Sequence, residues 1–195
     1  AEFMIAAAAL DQLPPPGPPE VAFAGRSNAG KSSAINALAG RNRLAFASRT
    51  PGRTQQIVMF GLPSGAIVAD LPGYGYAAVP KAVKRVWQDV LATYVATRST
   101  LVALVLVVDA RHGLKPLDLS MLDGFLPSGR PVMVLATKSD KLTRTESARA
   151  SAAIRGQLAE RYREQAAYVT VVPFSATART GLMEADAILA GWLAA

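Results

Sequence analysis

The sequence predicts an α/β fold, a mostly parallel six-stranded sheet with one antiparallel strand and helices on both faces. Three observations carry that expectation. Segments of strand and helix character alternate through most of the chain, the pattern of a sheet joined by helical crossovers. The strand segment LVALVLVVD is a continuous apolar run, as expected of a strand buried on both faces. No internal repeat interrupts the alternation.

The elements follow in order. AEFMIAAAALDQ lacks the basic start of a signal peptide, and Ala1–Phe3, which precede Met4, are read as a cloning remnant. QLPPPGPPE is a stiff polyproline-type lead-in; its P-x-x-P is read as linker rather than as an SH3 ligand. Residues 1–19 are therefore taken as an N-terminal extension and 20–195 as one domain. VAFAG (21–25) reads as a short buried strand and KSSAINALAG as a helix that stops near Gly40. RNRLAFASRTPGRT is irregular and basic, broken by Pro51 and Gly52. QIVMF (56–60) and AIVAD (66–70) form a hairpin pair across LPSG. From Val79 to Arg98, residues Val83, Val86, Trp87, Val90, Leu91 and Tyr94 recur at helical spacing. The strand at 101–109 follows, then a short helix in LDLSMLDGFL and a buried strand at PVMVLAT (131–137). A helix from Thr143 to Glu164 carries Ile154, Leu158 and Tyr162 on one stripe. YVTVVPFSA is the last strand and GLMEADAILAGWL the last helix. Trp87 and Trp192 are assigned to the layers between helices and sheet, not to base stacking.

Composition limits the classes of function. The chain has 195 residues, 51% of them apolar, and no cysteine. It is globular, without disulfide or thiolate chemistry, and the longest apolar run is too short to cross a bilayer. A cytoplasmic monomer with no membrane partner is expected. The net charge of +7 is unevenly placed. Between Val21 and Gln88 stand nine basic residues (Arg26, Lys31, Arg41, Arg43, Arg49, Arg53, Lys81, Lys84, Arg85) and one acid, Asp70. The remainder holds 12 basic residues against 13 acids, so the excess lies on one stretch. Such segregation points to a polyanionic partner such as nucleic acid.

The chemistry begins where the first core strand runs into GRSNAGKS, residues 25 to 32. This is G-x-x-x-x-G-K-S between a strand and a helix, a loop whose backbone N–H groups wrap phosphates. Lys31 supplies a cation to the outer phosphates, and Ser32 can ligate Mg²⁺. The dinucleotide motif G-x-G-x-x-G is missing. The hydrolase elbow also fails, because Ala29 stands where its second glycine belongs, so Ser27 is no nucleophile. Asp70 ends an apolar strand, as an aspartate bound to Mg²⁺ through water does, and Gly73 can turn its N–H onto a terminal phosphate. Asp140, in TKSD, can accept from both N1–H and the amino group of guanine, a pattern adenine lacks. The Lys138 stem can cover the base, and the N–H groups of SAT (175–177) can meet the guanine O6. Thr54 lies between the phosphate loop and Asp70, where a threonine can close over the metal; Thr50 and Ser48 are rivals by position.

PEVAFAGRSNAGKSSAINAL, TPGRTQ, DLPGYGYA, VVDARHG, TKSDK and FSAT, in this order, resemble the EngB (YihA/YsxC) family of ribosome-assembly GTPases, within the translation-factor class of P-loop GTPases. The resemblance runs from about Pro19 to the last helix and is weakest in the proline-rich stretch. It implies a G domain that binds GTP and GDP with Mg²⁺ and acts in assembly of the large ribosomal subunit, with a link to cell division and septation. Carried over by motif, Gly25, Arg26, Ser27, Asn28, Ala29, Gly30, Lys31, Ser32 and Ser33 bind phosphate. Gly52, Arg53 and Thr54 belong to the first switch, with Thr54 as metal ligand, and Asp70, Leu71, Pro72 and Gly73 to the second. Thr137, Lys138, Ser139 and Asp140 read guanine, supported by Phe174, Ser175 and Ala176.

Lys31, Gly73 and Thr54 are then the groups that assist catalysis by positioning and charge, and no general base is evident. Tyr74 follows Gly73 where many phosphate switches carry a glutamine, and it cannot orient a water as a carboxamide does. Slow hydrolysis is expected, helped either by K⁺ held near Asn28, as the resemblance implies, or by the ribosomal particle. A nucleotide-gated binder of rRNA with negligible hydrolysis is the alternative. His112, the single histidine, is read as structural.

Overall fold

The computed structural model describes residues 1–45 and 55–194. Seven strands form one sheet in the order β1-β3-β4-β2-β5-β6-β7. They are β1 (Glu2–Ala7), β2 (Glu20–Gly25), β3 (Ile57–Gly61), β4 (Ile67–Asp70), β5 (Leu101–Asp109), β6 (Val132–Thr137) and β7 (Val169–Pro173). Five α-helices connect or follow them: α1 (Lys31–Leu38), α2 (Lys81–Thr97), α3 (Pro116–Phe125), α4 (Arg144–Arg161) and α5 (Leu182–Leu193). β3 runs antiparallel to both of its neighbours, and the other pairings are parallel.

β5 shows why its sequence does not alternate. Leu104, Leu106 and Val108 pack in the layer that also holds Leu91, Tyr94, Leu122, Phe125, Ile154 and Leu158. Ala103, Val105 and Val107 point the other way, into the layer shared with Ala34, Ile35 and Ala185. A strand at the centre of a sheet with helices on both faces must be apolar at every position.

The structure differs from expectation in two places. The sheet has seven strands, not six, because Glu2–Ala7 pairs antiparallel with Ile57–Gly61 along the β3 edge. Its alanine-rich sequence has little intrinsic strand preference, and pairing with β3 supplies what local propensity does not. Also, the expected apolar stripe of α2 is only half buried. Leu91, Tyr94 and Val95 are covered, whereas Val83 and Val86 are 42% and 59% exposed. Periodicity marks the apolar face of a helix but not where along its length that face is covered.

At the amino end of β2, Glu20 is fully buried. Arg98 Nε donates to it at 3.0 Å, Thr100 Oγ1 at 2.8 Å and Tyr94 Oη at 3.0 Å. Arg98 Nη1 also donates to the Pro14 carbonyl at 2.9 Å, which ties the proline-rich lead-in to the foot of α2. At the opposite end, the carboxyl termini of β2, β4, β5, β6 and β7 lie along one edge, and each candidate motif follows one of them.

Candidate nucleotide-binding site

The phosphate loop leaves β2 at Gly25, where a side chain would not fit: an added Cβ would lie 2.6 Å from the Val107 carbonyl oxygen. The loop then turns through Asn28 and Gly30, both at positive φ, into the N-terminus of α1 at Lys31. This geometry aims the first N–H groups of the helix, those of Lys31, Ser32 and Ser33, at the sheet edge. The Lys31 ammonium contacts the Asp70 carboxylate across the gap between β2 and β4. Ser32 and Asp70 are hard oxygen donors of the kind Mg²⁺ takes. Among the described residues no three His, Cys, Asp or Glu side chains cluster as a cage.

The segment after β4 docks on this loop. Leu71 is buried and its N–H donates to the Phe23 carbonyl at 3.0 Å. Pro72 is buried too, and Gly73 lies so close to Ser27 that an added Cβ would stand 3.2 Å from its Oγ and 3.3 Å from its Cα. Tyr74 N–H donates to the Gly25 carbonyl at 3.2 Å, and Ser27 N–H to the Tyr74 carbonyl at 2.8 Å. The Tyr74 hydroxyl donates to Asp118 Oδ1 at 2.5 Å. Burial, then the Asp118 carboxylate, pushes the phenol far above its usual range, so it stays a neutral donor.

The loops after β6 and β7 brace the phosphate loop from the other side. Thr137 Oγ1 donates to the Ala29 and Val108 carbonyls at 2.5 and 3.1 Å. Lys138, at φ 59°, donates from Nζ to the Asn28 carbonyl at 2.6 Å and pairs with Asp109 Oδ2 at 3.0 Å. Burial opposes ionisation of Asp109, but Arg111 and Lys138 outweigh it and hold this carboxyl well below the usual range. Ser139 N–H donates to the Phe174 carbonyl at 3.1 Å, so the buried Phe174 joins β6 and β7 loops through its backbone. Ser175 Oγ donates to Asp140 Oδ1 at 2.7 Å, and this bond lowers the Asp140 pKa. Of the two N–H groups expected at the base, that of Ser175 is spent on the Thr180 carbonyl at 3.0 Å. Ala176 N–H has no hydrogen-bond partner among the described residues.

The structure thus brings together Gly25–Ser33, Asp70–Gly73, Thr137–Asp140 and Phe174–Ala176 on one edge. Gly52, Arg53 and Thr54, with the rivals Thr50 and Ser48, lie outside the described residues. Sequence reasoning missed Asp109, although an acid closing an apolar strand is the same signal that marked Asp70. It also missed Asp118, for which no local signal exists. Asp109, Arg111, His112, Asn28 and Lys138 line a cavity of about 210 Å³ beside the loop.

A strand-borne phosphate loop, a strand-end aspartate followed by glycine, and a braced Thr-Lys-Ser-Asp loop define a P-loop GTPase. Comparison with known proteins agrees: residues 20–138 match the family model of the 50S ribosome-binding GTPases. The chain is 53% identical to a probable GTP-binding protein EngB of Azoarcus sp., over 99% of this chain and 91% of that one. It is 48% identical to the one from Bordetella pertussis, over 99% of this chain and 94% of that one. The chain belongs to the EngB family of GTP-binding GTPases. Among solved structures, a probable GTP-binding protein engB superposes with a TM-score of 0.69 at 23% identity, over 90% of this chain and 98% of that one. Era, solved with MgGDPNP and a 16S ribosomal RNA segment, gives 0.66 at 21% identity, over 91% of this chain and 57% of that one. These two show likeness of fold. Among the described residues no helix is long and apolar enough to cross a membrane.

Proposed function

We propose that this protein is a guanine-nucleotide switch that hydrolyses GTP to GDP and phosphate slowly and, in its GTP form, engages a precursor of the large ribosomal subunit. The guanine assignment rests on one observation, the Asp140 carboxylate held by Ser175 on the same edge as the phosphate loop. A carboxylate fixed there accepts from N1–H and the amino group of guanine, and adenine would leave it unpaired. The test is to measure GDP and ADP affinity before and after Asp140→Asn. An unchanged preference would remove the assignment.

Phosphate binding draws Lys31 from Asp70 onto the outer phosphates. Ser32, Thr54 and Asp70 are the residues that would hold Mg²⁺; bound there, the ion would neutralise charge on the terminal phosphates. Gly73 senses the terminal phosphate through its N–H. Slow hydrolysis follows from Tyr74, whose hydroxyl is committed to Asp118 and positions no water. Asn28, exposed in the phosphate loop, is the candidate residue for K⁺.

Support for the ribosomal partner comes from charge and from the description of the matching family. Arg41, Arg43, Lys81 and Arg85 are exposed in and around the switch segments. Binding of rRNA through phosphate contacts weakens steeply with salt. Equal binding of the GDP and GTP-analogue forms to pre-ribosomal particles would contradict the gating. We take the protein to act as a cytoplasmic monomer. The alternative, an rRNA-binding module with negligible hydrolysis, is favoured by the same Tyr74 geometry, and single-turnover hydrolysis with and without particles separates the two.

A further inference from the structure

Asp118 lies on α3, outside every nucleotide motif, and is 1% exposed. One of its oxygens accepts from the Lys115 N–H at 2.9 Å and caps the helix. That bond accounts for Oδ2 only. Oδ1 is given to Tyr74, 44 residues earlier in the chain, at 2.5 Å. A buried carboxylate is costly unless both oxygens are bonded, so the phenol is a partner the site requires.

Tyr74 is in turn fixed at both of its backbone polar groups, to the Gly25 carbonyl and the Ser27 N–H. It forms a parallel bridge with Arg26. Gly73 directly precedes it and sits tightly against Ser27, where an added Cβ would lie 3.2 Å from the Oγ. Moving Gly73 away from the phosphate loop therefore pulls on the Tyr74 backbone bonds that directly follow it.

We propose that the Tyr74–Asp118 bond is a tether that holds the Gly73 N–H ready for a terminal phosphate, which makes Tyr74 and Asp118 positioning residues for telling GTP from GDP. This rests on the guanine-nucleotide reading above. A ligand shifts a protein only through contacts that differ between states, and Gly73 is a contact that GDP does not make. Preorganising it lowers the cost of ordering for GTP alone. Tyr74 stands in the place of the water-positioning glutamine but acts differently. It keeps the sensor in place and leaves the water to another group.

The test compares GDP with a non-hydrolysable GTP analogue, in Mg²⁺, on the full chain. Tyr74→Phe keeps the ring and removes the bond; Asp118→Asn keeps the shape and removes the charge. Each is expected to weaken GTP-analogue binding about five- to tenfold, the net size of one ordinary hydrogen bond. GDP affinity should stay within about twofold, which also reports that the variants fold. The double variant should lose no more than the stronger single one, since both act on one bond. Unchanged analogue binding in both variants, or equal losses for the two nucleotides, would overturn the tether in a protein that still binds guanine nucleotides. A wild-type protein that binds neither nucleotide would overturn the GTPase reading and the tether with it.

Discussion

The loops after β6 and β7 are cross-braced to the phosphate loop, whereas the segment after β4 is held at Leu71 and Tyr74 and by little beyond them. On the first side, Thr137 and Lys138 bond to the carbonyls of Ala29 and Asn28, Ser139 to Phe174, and Ser175 to Asp140. On the second, Tyr74 makes three bonds, and beyond it Gly75–Val79 receive, among the described residues, only a 3.4 Å bond from Lys84 to the Ala77 carbonyl. α2 continues this asymmetry, exposed at Val83 and Val86 and locked at its foot by the Glu20 network. Base recognition is identical for GTP and GDP, so it gains from a rigid site. A sensor must change with the nucleotide, so it is drawn from the weakly held part of the chain.

The largest expected effect comes from unlocking the foot of α2. Glu20→Ala leaves the Arg98 guanidinium buried without its anion and should cost about 3–5 kcal/mol in urea denaturation. The ratio of GTP to GDP affinity should not move, because the network lies at the far end of the sheet; a changed ratio would mean that the two ends are coupled. Next is the ion at Asn28. Single-turnover hydrolysis should be at least about tenfold faster in K⁺ than in Na⁺, and Asn28→Ala should abolish the difference. Equal wild-type rates in the two salts would exclude that route. The smallest effect concerns Asp140. The Ser175 hydroxyl holds its pKa below the ordinary value, so the ionised form, the one proposed to accept from guanine, persists as pH falls through the usual carboxylate range. Ser175→Ala should move the Asp140 titration, followed by NMR, toward higher pH, and with it the acid limit of GDP binding. An unmoved titration would show that this brace has no electrostatic role.

What was legible in the sequence follows the same division. The phosphate loop, the strand-end aspartate and TKSD are local patterns in which each residue's role is set by its immediate neighbours, and each follows its strand at the same edge. β5 was legible because burial on both faces leaves no polar position to blur the run. β1 was not, since an alanine-rich edge strand exists only through its pairing with β3. The tether was not legible either. Tyr74 could be read as a missing glutamine, but its partner on α3 becomes visible only when the fold brings the two together. Asp109 stands between these cases: its position at a strand end was readable, its clamp on Lys138 was not.

The central claim is that one edge of the sheet holds a prebuilt guanine site beside a sensor confined to the segment after β4. Amide hydrogen exchange of the wild-type protein, with GDP and with a GTP analogue, tests it most directly. The account predicts equal protection of residues 137–140 and 174–176 with either nucleotide, and added protection of Gly73 and Gly75–Val79 with the analogue alone. Protection that rises uniformly over both regions, or in neither, would contradict it.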